Sequence, residues 1–280
     1  MSGILIGGSI MFVMGLVDDV YNLSPKFKLI IQIGASLIAF LLGVRMETLF
    51  NPFGAPISLG ILSLPITMLW LVGFSNAMNF IDGVDGLAGT VSTISAVTLS
   101  VVVLSSSQPE PIAAIFSVIL AGSMMGFLVF NYHPAKIFMG DSGALFAGFA
   151  LASLAVTGVI KTVTATIFLP IFILAVPLLD ISYSTFRRLL KGKSPFIADS
   201  EHIHHKLIQA GLSHNKTVLV FIMIALSAGV IAVTFVGGIR LYAVAVAAIL
   251  PLMLITSLAA KYLKLRDIQA DEADEPIETL

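Results

Sequence analysis

The chain is divided into apolar runs separated by short polar segments, and that pattern leaves few ways to fold. A helix needs about 20 apolar residues to cross about 30 Å of hydrocarbon. Nine runs come close to that length: roughly 3–17, 29–45, 61–80, 88–106, 112–130, 142–160, 163–181, 217–236 and 241–260. Of the 280 residues, 58% are hydrophobic and 11% charged, whereas a soluble domain carries roughly 25% charged residues. No single core could bury so much apolar surface, so the solvent of this chain is lipid. The expected fold is an all-α polytopic membrane bundle of about nine transmembrane helices. The first run, Ile4 to Val17, has neither the basic flank nor the small-residue cleavage site of a signal peptide and reads as a span. Cysteine is absent, which excludes disulfides, thiolate zinc sites and cysteine nucleophiles.

Lys and Arg concentrate in cytoplasmic loops. With nine spans, one side of the membrane receives Lys26, Lys28, Lys136, Arg187, Arg188, Lys191, Lys193, Lys206, Lys216, Lys261, Lys264 and Arg266; the other receives Arg45, Lys161 and Arg240. The first side is therefore expected to be cytoplasmic, with the N-terminus outside and the C-terminus inside. Residues 1–266 read as a single transmembrane catalytic domain with cytoplasmic-face loops 18–28, 81–87, 131–141 and 182–216. The tail from Asp267 to Leu280, with its acidic residues, reads as disordered.

Each unusual polar cluster falls on that same side: Asp18-Asp19, Asn76 to Gly89, Asn131 to Ser142, and Ser182 to Lys216. Ionisable groups at a membrane boundary are costly unless they have a use. In the second cluster, Asn76-Ala77-Met78-Asn79-Phe80-Ile81-Asp82-Gly83-Val84-Asp85-Gly86, two Asp-Gly pairs follow an Asn-x-x-Asn. That is more polar chemistry than a plain turn between spans requires. Glycines there let backbone approach a ligand and leave N–H groups free for an anion. Adjacent Asp18 and Asp19 point different ways on a helix, so one is free to accept a proton or steer a metal while the other anchors the loop. Lys26 and Lys28 are compact charges suited to phosphate; the plainer alternative is lysines of the cytoplasmic side balanced by two acids.

Asp141 opens a helix and reads either as an N-cap, worth about 1 kcal/mol, or as a ligand of a hard cation. Mg²⁺ takes one or two protein oxygens and completes its shell with water and substrate phosphate; Asp141 with Asn79 or Asp82 suits such sparse coordination. Phe138 offers either a flat face for a base or a lipid contact, and His133 reads as structural. In the long loop, His202, His204 and His205 suggest zinc at first sight, but no second ligand pair stands at a usual spacing, and Arg187, Arg188 and Lys206 repel a cation. Such donors better suit an anion such as pyrophosphate. Asp180 is placed to hold this loop through the arginines, and His214 receives no role. Acids for Mg²⁺ and bases for phosphates at one membrane face suit phosphoryl-type transfer between a nucleotide-activated donor and a lipid acceptor.

Asp18-Asp19 with Leu23-Ser24-Pro25-Lys26-Phe27-Lys28, Asn79-Phe80-Ile81-Asp82-Gly83-Val84-Asp85-Gly86-Leu87-Ala88, Phe138-Met139-Gly140-Asp141-Ser142-Gly143 and His202-Ile203-His204-His205 resemble, in order, the motifs of the polyprenyl-phosphate N-acetylhexosamine-1-phosphate transferases. The resemblance implies transfer of a sugar 1-phosphate from a uridine diphosphate sugar to undecaprenyl phosphate, release of uridine monophosphate, and Mg²⁺ as cofactor, with Mn²⁺ as its substitute. It implies that Asp141 is the main metal ligand beside Asn79 or Asp82, and that Asp18 or Asp19 deprotonates or orients the lipid phosphate. Lys28 would hold phosphate, Asn76 would belong to the substrate site, Gly83 and Asp85 would face the uracil, and Phe138 would stack on it. Asp82, His204 and His205 join the catalytic set; His202 with Arg187 or Arg188 would line the pyrophosphate and sugar end. The expected partners are the donor, the lipid acceptor, the bilayer and a second copy of the chain, with no nucleic acid. The His-Ile-His-His and Ser-Pro-Lys-Phe-Lys forms resemble the branch using N-acetylglucosamine for teichoic acid, O-antigen or similar bacterial surface polymers, at the inner membrane. The muramyl-pentapeptide branch usually shows three consecutive histidines. The resemblance also implies two further N-terminal spans, so an inactive fragment is one alternative. A transporter would place its polar groups near mid-membrane in paired halves, and a CDP-alcohol phosphatidyltransferase would need an Ala-Arg pair after Asp-Gly and two later aspartates at i+4; neither pattern is present.

Overall fold

A computed structural model describes residues 1–49, 57–107, 109–160, 171, 174–190 and 203–274. At Asp180, Arg187, Arg188, His204, His205 and residues 261–274 it describes the backbone alone. The chain is an all-α polytopic membrane protein whose helices are α1 (Ser2–Tyr21), α2 (Pro25–Leu41), α3 (Ser63–Ile81), α4 (Leu87–Ser105), α5 (Pro111–Asn131), α6 (Gly140–Ala155), α7 (Ala175–Leu190), α8 (Ile203–Gln209), α9 (His214–Phe235) and α10 (Ile239–Asp274). Between α2 and α3 two short strands of two residues each, β1 (Thr48–Leu49) and β2 (Ile57–Ser58), pair antiparallel. Among the described residues, Ser2–Tyr21, Gly60–Ile81, Leu87–Ser105, Pro111–Asn131, Gly140–Val159 and His214–Phe235 are long and apolar enough to cross a membrane.

α4 is the axis of the bundle, with nearly every side chain from Leu87 to Val103 buried. Its hydroxyls are satisfied inside the helix: Thr93 Oγ1 donates to Gly89 O at 2.8 Å and Thr98 Oγ1 to Ile94 O at 2.8 Å, the back-bonding that lets Ser and Thr live in an apolar interior. α5 and α9 pack on α4, while α6 is flanked by α1 and α3. The outer faces of α1, α2 and α5 carry exposed Leu5, Val13, Leu29, Ile30, Ile115 and Ile119. That much bare apolar surface is tolerated only in contact with lipid.

α1 and α6 approach to backbone contact. A Cβ added at Gly15 would run into the Cα and N of Ser142, so α6 begins against α1 only because this position has no side chain. Gly15→Ala is therefore expected to lower stability by about 1–3 kcal/mol, the usual cost of forcing a methyl into a full interior. Thermal unfolding in detergent measures it, and an unchanged midpoint would mean that α1 and α6 are not this close.

Two parts of the chain differ from the sequence expectation. Residues 182–216 were expected to form a loop, yet α7 runs on to Leu190 and α8 fills Ile203–Gln209. A hydropathy boundary stops at residue 181 because the polar side chains start there, but helical periodicity continues through an amphipathic segment that needs no lipid on its polar face. Most of the expected seventh span, 163–181, lies outside the described residues. At the other end, α10 continues to Asp274, into the stretch expected to be disordered. Glycine and proline are absent from Leu252 to Glu275, and Lys, Leu, Ala, Gln and Glu are all good helix formers.

Candidate active site

The polar clusters meet where helix ends converge. Asn22 turns the chain out of α1 with φ 51°, and Ser24 caps α2, its hydroxyl accepting from Phe27 N at 3.4 Å with Pro25 at the first helical position. This tight turn leaves Asp18 and Asp19 on the last turn of α1 and Lys28 on the first turn of α2. Asp18 is buried; its Oδ1 accepts from Leu23 N at 2.7 Å, and its Oδ2 accepts from Lys28 Nζ at 2.6 Å. The same ammonium donates to Asp141 Oδ2 at 3.1 Å, so one lysine bridges α1 and α6. Asp141 Oδ1 accepts from Asn79 Nδ2 at 2.9 Å, which brings in the end of α3 and leaves the Asn79 carbonyl oxygen to offer elsewhere.

Asp19 points the other way, as adjacent helical residues must. Its two oxygens accept from the backbone N–H groups of Asp141 (2.8 Å) and Ser142 (3.2 Å), capping α6 from a different helix. The N-cap role considered for Asp141 thus belongs to Asp19, and the Asp141 side chain is turned toward Lys28 and Asn79. Gly140 makes this possible: its φ of +64° disfavours a side chain, and a Cβ there would lie 2.7 Å from Asp19 Oδ2.

Between α3 and α4 the turn Asp82 to Gly86 closes the floor. Asn131, 3% exposed at the end of α5, accepts the Gly86 N–H at 3.0 Å and donates to Ile137 O at 2.9 Å, tying this turn to the segment before α6. Asn79, Asp82, Gly83, Asp85, Phe138 and Asp141 line one cavity of about 330 Å³. Phe138 is 77% exposed on its wall, a placement that burial alone does not explain. Asp82 is half-buried with no hydrogen-bond donor among the described residues, and its carboxyl is pushed up to about 7, first by burial and then by the negative charges of Asp141, Asp19 and Asp85.

An uncompensated carboxylate pressed against others has the charge that a cation would balance. Among the described residues no three His, Cys, Asp or Glu side chains converge as a metal cage. Asp141 and Asp82 with the Asn79 amide oxygen do fit an ion that takes one or two carboxylates and fills its shell with water and phosphate oxygens, the habit of Mg²⁺.

Some candidate residues lie elsewhere or are engaged otherwise. Asn76 sits a turn deeper on α3, where its amide exchanges hydrogen bonds with Gln32 of α2: Asn76 Nδ2 to Gln32 Oε1 at 2.8 Å and Gln32 Nε2 to Asn76 Oδ1 at 3.2 Å. It is absent from the cavity wall. Asp85 lines the cavity, but its Oδ2 accepts from His133 Nδ1 (2.8 Å) and from the backbone N–H of Ala135 (3.1 Å). His133 stacks in turn on His214, with ring centres 4.5 Å apart and planes 6° from parallel. Neither histidine was expected to take part, because the sequence showed only a His before a Pro and another at the start of a span. Helices α7 and α8 carry Arg187, Arg188, His204 and His205, whose side chains, like the whole of His202, lie outside the described residues.

The family model described as glycosyl transferase family 4 matches residues 1–159. A probable undecaprenyl-phosphate N-acetylglucosaminyl 1-phosphate transferase of Bacillus subtilis is 40% identical over 226 residues, 80% of this chain and 63% of that protein. A decaprenyl-phosphate N-acetylglucosaminephosphotransferase of Mycobacterium leprae is 32% identical, covering 83% of this chain and 63% of the relative. A phospho-N-acetylmuramoyl-pentapeptide-transferase of Streptococcus mutans is 34% identical, covering 75% and 63%. The chain thus spans less than two thirds of the length of these relatives.

Proposed function

We propose, because this chain belongs to glycosyl transferase family 4, that it transfers N-acetylglucosamine 1-phosphate from UDP-N-acetylglucosamine to undecaprenyl phosphate. The products are undecaprenyl-diphosphate-N-acetylglucosamine and UMP, in the first lipid-linked step of a bacterial surface polymer. The observation that carries this reading is the acidic cavity itself: Asp82, Asp141 and Asn79 stand at one end of an apolar bundle, with Phe138 exposed on the wall. Higher identity to the Bacillus protein than to the Streptococcus one supports the N-acetylglucosamine donor over the muramyl-pentapeptide donor.

In this reading nine helices span the plasma membrane, the N-terminus lies outside and the cavity opens to the cytoplasm. Lys26, Lys28, Lys136, Lys206 and Lys216 belong to the cavity end of the helices and Arg45 and Arg240 to the opposite end, which supports that orientation. Asp141 and Asp82, with the Asn79 oxygen, would hold Mg²⁺, which supplies charge neutralisation for phosphate oxygens when bound. Asp19 fixes the start of α6 and thereby the direction of Asp141. Lys28, held between Asp18 and Asp141, presents an ammonium to a phosphate, with Asp18 orienting it. Gly83 and Asp85 receive the uracil and Phe138 covers it. An oxygen of the acceptor phosphate attacks the β-phosphorus of the donor; the new P–O bond forms as the bond to the bridging oxygen breaks, and UMP carries that oxygen and its electron pair away. The lipid phosphate is already an anion, so direct displacement needs no protein nucleophile. His204 and His205, with His202, Arg187 and Arg188, complete the pyrophosphate and sugar end.

The test is release of UMP by the purified protein, with undecaprenyl phosphate and Mg²⁺, from each N-acetylhexosamine donor in competition. Release from UDP-N-acetylglucosamine that depends on both lipid and Mg²⁺ is expected. Folded protein that releases none from either donor would sink the assignment.

A further inference from the structure

The reading of Asp85 as a uracil contact leaves unexplained what holds it. A lone carboxylate on a glycine-flanked turn rotates freely, and ordering it costs affinity each time a ligand binds. Here that cost is met in advance. Two donors converge on a single oxygen: the backbone N–H of Ala135 at 3.1 Å and Nδ1 of His133 at 2.8 Å from Asp85 Oδ2. The other oxygen, Oδ1, is left as the acceptor this cavity-lining residue can turn to a ligand. To donate, the His133 imidazole must carry its proton on Nδ1. His133 is then backed by a flat partner, His214, whose ring lies 4.5 Å away and nearly parallel. His214 is the first residue of α9, which Ser213 caps with its hydroxyl accepting from Lys216 N at 3.5 Å. The imidazole behind Asp85 is therefore braced by the first residue of a packed helix that is separate from the turn it supports.

We propose that His133, steadied by stacking on His214, is a positioning residue that fixes the Asp85 carboxylate for the nucleotide base and so sets donor affinity. This rests on the donor reading above. Because His133 touches neither the Lys28 pair nor the Asp141–Asn79 pair, its influence falls on the nucleotide and not on the lipid acceptor. The ring has two separable jobs, a hydrogen bond through Nδ1 and a stack through its face. Asparagine places a nitrogen where Nδ1 stands but has no ring, and phenylalanine keeps a ring but has no donor.

The experiment uses the full chain in detergent micelles and measures calorimetric binding of UMP, together with separate KM values for UDP-N-acetylglucosamine and undecaprenyl phosphate. His133→Phe and His133→Ala are each expected to weaken UMP binding and raise donor KM about tenfold, as loss of a hydrogen bond to a charged group does. His133→Asn should stay within about threefold of the parent, and His214→Phe within about twofold with His214→Ala lying between, since only the stack is changed. Acceptor KM should not move in any of them, and thermal midpoints of the Asn and Phe variants should agree. A His133→Phe protein that binds UMP like the parent, or a His133→Asn protein as impaired as His133→Ala, overturns the role while leaving the transferase reading intact. A parent protein that binds no UMP removes both.

Discussion

Asp141→Asn is expected to cut lipid-dependent UMP release by about a thousandfold or more, in the range lost when a preorganised charge is removed from a transferring group. Both oxygens of this carboxylate are in use, Oδ1 accepting from Asn79 Nδ2 at 2.9 Å and Oδ2 from Lys28 Nζ at 3.1 Å. An amide has one acceptor and one donor, so in either orientation it turns an N–H toward the ammonium or toward the Asn79 N–H. Either the Lys28 ammonium loses an acceptor or the Asn79 amide must turn over to accept, which withdraws its oxygen from the cavity. In the proposed reading the cavity also loses the carboxylate that would hold Mg²⁺. The helix itself should survive, since α6 is capped by Asp19 through the Asp141 and Ser142 N–H groups, which the substitution leaves untouched. The check is a rate measurement across a Mg²⁺ series beside a thermal unfolding scan. Activity within tenfold of the parent at saturating Mg²⁺ would remove Asp141 from the metal site.

How far the site could be read from the sequence depended on what each residue does. The gathering of Asp18, Asn79, Asp82 and Asp141 was legible because polar groups in an oily chain have few places to go, and an odd or even count of spans decides which ends meet. That Asp18 and Asp19 face different partners was legible from the 100° turn between neighbours on a helix. What Asp19 anchors was not: its partners, Asp141 N and Ser142 N, lie more than a hundred residues away. His133 and His214 escaped for the same reason. Each is unremarkable in its own segment, and their meaning lies in a stack across two elements. Asn76 shows the opposite: it stands in the same polar stretch as Asn79, but helical geometry puts it a turn away, facing Gln32. The extension of α7 to Leu190 was hidden because hydropathy detects contact with lipid, not helix, and an amphipathic turn outside the lipid looks like loop.

Asp82→Asn should do two opposite things, abolishing transfer and stabilising the metal-free protein, and the second effect has a fixed pH signature. In the folded protein the Asp82 carboxyl is raised from 3.8 to about 7, by burial and by Asp141, Asp19 and Asp85. Below about pH 3 the group is protonated whether the chain is folded or not, and it costs nothing. As pH rises from there toward 7 the unfolded chain releases the proton while the folded chain retains it, so stability falls across that window, and above it the full penalty remains. Asparagine does not titrate. The variant should therefore match the parent near pH 3 and exceed it at pH 8 by on the order of 2 kcal/mol in EDTA, allowing for the partial solvent contact of Asp82. Transfer should fall at least about a hundredfold, because in the proposed reading the same carboxylate would help to hold the cation. Adding Mg²⁺ at pH 8 should close the gap from the parent's side, since an ion held by ionised Asp82 stabilises only the form that binds it. Thermal midpoints at both pH values, with and without Mg²⁺, decide the matter: a constant difference between variant and parent from pH 3 to 8 would show that Asp82 is not the strained carboxylate of this cavity.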